Sequence, residues 1–194
     1  MSEHELAEAI HSFLAAVEPM KEHTRTAWNA SGRQESVAEH SWRLALLALV
    51  VAPHLSPLNQ QKLLELAIVH DLGEAFEGDL SAPLQSTDDG KARTELETID
   101  SLARLLPDPD GGHIRALWEE YNEGASPEAR AVKVLDKLET IFQHNQGRNP
   151  EDFDYAFNLA YGTELPSDHP LLSALRAVAD AGTRSRMNET GDPS

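Results

Sequence analysis

Signals that begin and end α-helices recur along this chain, whereas runs of alternating β-branched residues are nearly absent. Ser36 followed by Glu39 forms a capping box, in which each side chain can accept a hydrogen bond from the backbone amide of the other residue. Ser126 precedes Pro127, which pairs an N-cap residue with proline at the first helical position. No asparagine-glycine hairpin turn occurs. The sequence therefore predicts an all-α fold.

These signals, together with apolar residues at helical spacing, predict the order of the helices. They cover about residues 3–17, 37–51, 57–72, 91–106, 113–121 and 127–145, with two shorter helices beginning after about residues 149 and 168. Ser56-Pro57 is the predicted start of the third helix. The chain is long enough for one domain with one core, predicted to span residues 1–182, and residues 183–194 are predicted to be a disordered tail.

Two histidines lie on helix faces that are otherwise apolar. His40 has apolar residues at i+4, i+7 and i+8, and His70 has them at i−7, i−4 and i−3. An imidazole on such a face needs a polar partner, which a backbone carbonyl or a metal ion can supply. Asp136 lies beside Val132 in a half-apolar strip, where Lys133 or a metal ion could compensate its charge.

The composition restricts the partners of the chain. It contains no cysteine, so a metal ion must be held by His, Asp or Glu, and a reducing compartment is expected. The formal net charge of −17 argues against a nucleic-acid polymer as partner but allows a small anion that a few basic residues contact. The acidic start does not resemble a signal peptide, and no apolar run is long enough to cross a bilayer. A cytoplasmic location without membrane contact is predicted.

Three segments carry the chemically informative residues in a fixed order. They are ESVAEHSW (35–42), AIVHDLGEAFEGD (67–79) and VKVLDKLE (132–139). This H…HD…D series resembles the metal-dependent phosphohydrolases with an HD domain, and specifically their small 5′-deoxynucleotidase branch. The resemblance extends from about Arg25 to about Gln143 and implies a single helical bundle with a metal site between its helices.

The resemblance implies that four residues bind one divalent metal ion. These residues are His40, His70, Asp71 and Asp136. Imidazole nitrogen and carboxylate oxygen accept Mn, Co, Ni, Fe, Zn or Mg, so the native metal stays open.

The resemblance also implies roles around the metal ion. Glu74 would transfer a proton at the attacking water or the leaving group, and Asp79 would assist or contact the sugar hydroxyl. In HTRTAW (23–28), where alanine replaces the glycine usual in this branch, Arg25 would bind phosphate and Trp28 would form a flat wall against sugar or base. Lys133 would contact the substrate phosphate. Away from this site, His113 and His144 are expected at the surface or at helix ends.

The function expected from this resemblance is a phosphomonoesterase for (deoxy)nucleoside 5′-monophosphates or a related small phosphorylated metabolite, acting as a homodimer. One alternative is a di-iron oxygenase, since some HD-domain proteins are oxygenases. Those proteins carry two further metal-binding histidines between the HD pair and the last aspartate, and here only His113 lies in that interval. The other alternative is a non-catalytic nucleotide-binding regulatory module. The presence of all four ligands together with Glu74 argues against it.

Overall fold

The structure is a computed structural model that describes residues 1–76, 89–165 and 169–190. Within these ranges helices dominate, which confirms the predicted all-α class. The helices are α1 (Glu3–Val17), α2 (Val37–Val51), α3 (Gln60–Val69), α4 (Asp89–Ala103), α5 (Asp110–Glu123), α6 (Pro127–Gln146), α7 (Phe157–Ala160) and α8 (Pro170–Thr190). None of the described helices is both long enough and apolar enough to cross a membrane.

The predicted helix caps are formed by the expected atoms. The Ser36 hydroxyl accepts the backbone amide of Glu39 at 3.2 Å, and the Glu39 carboxylate accepts the backbone amide of Ser36 at 2.9 Å. Ser126 accepts the amide of Ala129 at 3.0 Å at the start of α6. These local bonds determine where the two helices that contribute His40 and Asp136 begin.

The third helix begins later and ends earlier than the sequence predicts. Its N-cap is Asn59, whose side chain accepts the amide of Lys62 at 3.2 Å, rather than Ser56. Residues before it form a turn, in which the Leu58 amide donates to the carbonyl of the buried Leu55 at 2.9 Å. After Val69 the chain tightens into a 3₁₀ turn at Leu72–Glu74. The HD pair therefore lies at the junction between a helix and a tight turn.

A small antiparallel sheet precedes α2, and the sequence did not predict it. Strand β1 (Thr24–Trp28) pairs with β2 (Gln34–Ser36), and the pairing is irregular between Thr24 and Trp28. The connecting turn contains Gly32 at a φ of 86°. These strands are too short to show an alternating pattern, and their turn lacks the usual hairpin dipeptide. The sheet brings β1 against α6.

The core is built around α6, which contacts α2, α3, α5 and α8. Fully buried leucines and an isoleucine from these helices fill the space between them, namely Leu44, Leu63, Leu66, Leu135 and Ile141. Burying such side chains contributes about 1.5–3 kcal/mol each. A helix surrounded in this way holds its inward-facing polar residues in place with little freedom.

The C-terminal helix continues past Thr183, where the sequence predicts the start of a disordered tail. The Thr183 hydroxyl is fully buried and donates to the Asn145 side chain on α6 at 2.9 Å. Further along α8, Met187 is buried and Arg186 donates to the Tyr155 hydroxyl at 2.8 Å. These contacts order the segment through Thr190, although its sequence is mostly polar.

Candidate metal centre

Four side chains from three parts of the chain meet in one buried cluster. His40 comes from α2, His70 and Asp71 follow α3, and Asp136 comes from α6. The Nε2 atom of His40 lies 3.1 Å from Oδ1 of Asp136, 3.3 Å from Nε2 of His70 and 3.8 Å from Oδ2 of Asp71. Nε2 of His70 is 3.0 Å from Oδ2 of Asp71. The structure thus brings together all four residues that the sequence singles out as ligands.

The donor set fits a divalent metal ion. His40, His70 and Asp71 each offer a ligand atom within 4.8 Å of the others. The Nδ1 atom of His70 already contacts the backbone carbonyl of Ala67 at 3.0 Å, which leaves Nε2 facing the cluster. Oδ2 of Asp71 is buried, and its neighbours are the cationic or imidazole nitrogens of His70 at 3.0 Å and Arg25 at 3.6 Å, without a hydrogen bond of good geometry. Two imidazole nitrogens with carboxylate oxygens are donors that zinc and other first-row divalent metals accept.

The charges of the cluster are strongly coupled. Burial and Arg25 lower the pKa of His40, but the carboxylates of Glu139 and Asp136 outweigh them and raise that pKa to about 10. Burial raises the pKa of Asp136, yet Lys137 and the two histidines hold it well below its usual range. A metal ion bound at Nε2 of His40 would therefore take the place of a proton.

A cavity of about 200 Å³ opens beside the four residues. Its wall includes His70, Asp71 and Asp136 together with basic and aromatic side chains. The basic side chains are Arg25, Lys91, Lys133 and Lys137, and the aromatic ones are Trp118, Tyr121 and Tyr161. The same cavity is lined by four carboxylates, those of Asp71, Glu74, Glu95 and Asp136, so basic and acidic side chains alternate around it.

Arg25 reaches the cluster from β1. Its Nη2 donates to the Thr140 hydroxyl at 3.2 Å, and its Nη1 lies 3.6 Å from Oδ2 of Asp71. The side chain lines the cavity and is largely buried. A guanidinium held beside a ligand carboxylate is well placed to bind a phosphate that approaches the same carboxylate.

Glu74 lies on the 3₁₀ turn, three residues after Asp71, and lines the same cavity. Lys91 on α4 donates to Oε1 of Glu74 at 3.1 Å and lies 3.2 Å from Glu95. Sequence reasoning missed Lys91 and Glu95. Their i,i+4 spacing was the available signal, but many exposed helices carry such pairs, and only the packing of α4 on the 3₁₀ turn brings this one to the site.

The two lysines of α6 have different partners from those the sequence suggests. Lys137, rather than Lys133, pairs with Asp136 at 3.1 Å. Lys133 lies over the Tyr121 ring at 4.6 Å and has no carboxylate partner among the described residues. Burial and the neighbouring Lys137 lower the pKa of Lys133. The Tyr121 hydroxyl donates to Oδ2 of Asp136 at 3.2 Å.

Trp28 is not among the side chains that line the cavity. Its ring packs edge-on against Phe153 at 5.9 Å, and its carbonyl accepts the Gln143 amide at 2.7 Å. The irregular pairing of β1 changes the course of the strand between Thr24 and this residue. The tryptophan that does line the cavity is Trp118 of α5, which the sequence did not single out.

The remaining expectations have mixed outcomes. Asp79 lies outside the described residues. His113 is exposed, as predicted, with its imidazole 3.5 Å from Glu65. His144 lies in the last turn of α6, which agrees with the predicted helix-end position, but it is not at the surface, because the segment after α6 folds back over it. His144 is buried, with Nδ1 2.7 Å from the Asn158 side chain.

Comparison with known proteins shows the family to which the chain belongs. The protein-family model for the HD domain matches residues 17–175. The human 5′-deoxynucleotidase HDDC2 is 34% identical over 158 residues, which cover 76% of this chain and 76% of the relative. The Bos taurus protein of the same name is 35% identical over 184 residues, covering 91% and 89%.

A solved structure extends the agreement to the fold. A predicted metal-dependent phosphohydrolase from Magnetospirillum magnetotacticum MS-1 superposes with a TM-score of 0.71 at 26% identity, covering 93% of this chain and 96% of that one. Sequence similarity, fold and the cluster of two histidines and two aspartates all agree, and the chain belongs to the HD domain family.

Proposed function

We propose that the protein is a divalent-metal-dependent phosphohydrolase that removes phosphate from (deoxy)nucleoside 5′-monophosphates or a related small phosphorylated metabolite. The observation that carries this proposal is the meeting of His40, His70, Asp71 and Asp136 beside a cavity whose lining includes basic side chains. The relatives named 5′-deoxynucleotidase support the choice of substrate class.

The four clustered residues would hold one divalent ion. Such an ion supplies a Lewis acid for a phosphate oxygen and lowers the pKa of a water molecule. Mn, Co, Ni, Fe, Zn and Mg all suit these donors, so its identity is a matter for experiment.

Other residues of the chain would act directly on the substrate. Arg25 would bind two phosphate oxygens with its planar guanidinium, and Lys133, which forms no ion pair within the described residues, would add a positive charge. Glu74, held by Lys91, would move a proton at the attacking water or at the leaving oxygen. Asp79 would assist from the segment after Phe76.

The two alternative functions have less support. For a di-iron oxygenase, a second set of histidine ligands is needed, and His113 is exposed and paired with Glu65 instead. A purely regulatory nucleotide-binding module would have no evident use for Glu74, which is buried beside the candidate metal ligands and accepts a hydrogen bond from Lys91. A hydrolase accounts for both observations.

We also propose that the protein is a homodimer. The outer face of α2 exposes Trp42, Leu46, Leu49 and Val50 at helical spacing, with 67% of Trp42 accessible. An apolar stripe of this kind commonly marks a protein interface. Analytical ultracentrifugation of the parent and of Trp42→Lys tests this, and a monomeric parent contradicts it. The cytoplasmic location stays a prediction.

The experiment that tests the proposed function measures phosphate release from a panel of nucleotides with each divalent metal in turn and with a chelator control. We expect metal-dependent release from deoxynucleoside 5′-monophosphates, and a lower kcat/KM for the matching ribonucleotides. If kcat/KM were equal for deoxyribo- and ribonucleotides, the protein would be a phosphohydrolase without the selectivity of a deoxynucleotidase. No release from any nucleotide with any metal would contradict the proposal.

A further inference from the structure

The imidazole of His40 has a partner on each side. Nε2 faces the cluster of candidate ligands, and Nδ1 lies 2.5 Å from Oε2 of Glu139. Glu139 is on α6, three residues after Asp136, and only 1% of it is exposed. One helix therefore contacts His40 with two carboxylates, one at each ring nitrogen.

The second oxygen of Glu139 is buried beside a guanidinium, although it accepts no hydrogen bond among the described residues. Oε1 lies 3.3 Å from Nη1 of Arg43, which is on α2 one turn after His40. Arg43 also donates to the side chains of Gln143 and Gln146, the latter at 2.6 Å. Arg43 thus ties α2 to α6 next to Glu139, and its positive charge attracts the Glu139 carboxylate.

His70 is oriented in a different way. Its Nδ1 contacts the backbone carbonyl of Ala67 at 3.0 Å, within its own stretch of chain. A helix backbone supplies this contact, so it does not depend on any one side chain. The orientation of His40, in contrast, depends on a side chain from another helix.

A second cation is a competing explanation, because Glu35, His40 and Glu139 could also surround an ion. Positive charge is already present there, however. Arg43 lies 3.3 Å from Glu139, and Nε of Arg25 lies 3.9 Å from Oε2 of Glu35. The short contact between His40 Nδ1 and Glu139 also occupies the nitrogen that an ion would need. A hydrogen bond accounts for His40 Nδ1 and Glu139 Oε2, and the two guanidiniums are the charged neighbours of the remaining buried oxygens, Oε1 of Glu139 and Oε2 of Glu35.

We propose that Glu139 is a positioning residue for the metal site. It accepts the Nδ1–H of His40, selects the tautomer whose Nε2 has a free lone pair, and aims that nitrogen at Asp136, His70 and Asp71. Arg43 in turn orients Glu139. This inference rests on the proposed function, because it takes His40 as a metal ligand.

The test measures binding of Co²⁺ alone to metal-free protein by calorimetry and records the visible spectrum of the Co²⁺ form. Glu139→Gln preserves the size of the side chain but removes the charge that holds His40. We expect its Co²⁺ affinity to fall roughly 10- to 100-fold and its spectrum to change, as for other outer partners of metal ligands. The matched control is Glu120→Gln, which removes a carboxylate bound to Lys62 across helices at 2.6 Å. It should bind Co²⁺ like the parent.

The possible results separate the two proposals. A parent protein that binds no divalent ion would overturn the proposed function and this inference together. A parent that binds Co²⁺ normally, with a folded Glu139→Gln variant of equal affinity and unchanged spectrum, would overturn only the role of Glu139. If Glu139 only stabilised the fold, Glu139→Gln would lower the thermal stability, but the folded molecules would bind Co²⁺ with the affinity of the parent.

A measurement on the parent covers the case in which Glu139→Gln does not fold. In the Zn²⁺-loaded protein with ¹⁵N-labelled histidine, long-range ¹H–¹⁵N spectra distinguish a proton on Nδ1 from one on Nε2. The signal of His40 is assigned by its loss in His40→Asn. We expect the proton on Nδ1, and a proton on Nε2 would overturn the inference.

Discussion

Nε2 of His40 and Oδ1 of Asp136 lie 3.1 Å apart, although the two residues are 96 positions apart in the sequence. Both are buried, and they come from the packed helices α2 and α6. A buried imidazole and a buried carboxylate at this distance stabilise each other without metal, and both point at the place where an ion would bind.

Asp136→Ala removes one of the four candidate ligands and should lower metal affinity by at least about tenfold, since even outer partners of metal ligands contribute that much. Elemental analysis after dialysis measures the occupancy. His113→Ala is the control, because that imidazole is exposed and contacts only Glu65 among the described carboxylates. Full occupancy in Asp136→Ala, or two irons per chain in the parent, would be incompatible with this site.

Glu74→Gln should leave metal content unchanged and lower kcat about a hundredfold or more, because it retains the shape of the side chain but cannot transfer a proton. Steady-state kinetics with metal analysis of the same samples separates the two effects. Glu97→Gln is the control, because Glu97 is an exposed carboxylate on α4 that pairs with Arg93. Unchanged turnover in Glu74→Gln would remove this residue from the chemistry.

Arg25→Lys should raise KM for the nucleotide roughly tenfold or more, because a lysine retains the charge but loses one of two charge-assisted hydrogen bonds, worth about 1.5–3 kcal/mol. Arg33→Lys is a control from the same hairpin, since Arg33 binds the exposed Glu39 at 2.5 Å. If Arg25→Lys and Arg25→Ala both retain the KM of the parent, the phosphate is bound elsewhere.

Glu35→Gln should stabilise the metal-free protein at neutral pH. Burial raises the pKa of Glu35 from 4.5 to about 7, and the Glu139 carboxylate adds to this rise. The folded state therefore holds a proton that the unfolded state releases. Below about pH 4.5 both states hold this proton, and Glu35 does not oppose folding. As the pH rises from about 4.5 to about 7, the free energy of unfolding falls by about 3 kcal/mol, because the unfolded state releases the proton and the folded state keeps it.

Chemical denaturation of parent and Glu35→Gln in the presence of chelator measures this effect. The free energies of unfolding should agree near pH 4.5 and diverge toward pH 7, with the variant more stable. Two curves that stay parallel across this range would show that Glu35 does not titrate as its burial requires.

Trp28→Ala tests whether this residue contacts the sugar, as the sequence suggests, or only packs against Phe153, as in the structure. Because its ring packs on Phe153 and does not line the cavity, we expect a loss of about 1–3 kcal/mol of stability and no change in the ratio of kcat/KM for deoxyribo- and ribonucleotides. If Trp28→Ala instead relaxed the preference for deoxyribose, Trp28 would contact the sugar, as the sequence suggests.

The sequence alone determined the features that depend on neighbouring residues. The caps at Ser36 and Ser126 could be predicted because a side chain there bonds a backbone amide three residues away. His40 and His70 could be selected because helical spacing reveals that each lies on an apolar face. The order of the four candidate ligands then indicated the family.

Only the tertiary structure decided which side chains meet. Glu139 at His40, Lys91 at Glu74 and Lys137 at Asp136 are pairs that the sequence did not select. It also did not predict Trp118 in the cavity or the sheet that carries Arg25. Helical spacing determines the direction of a side chain relative to its own helix axis. Its contacts depend also on how two helices cross and shift against each other, which the packing of the whole core determines.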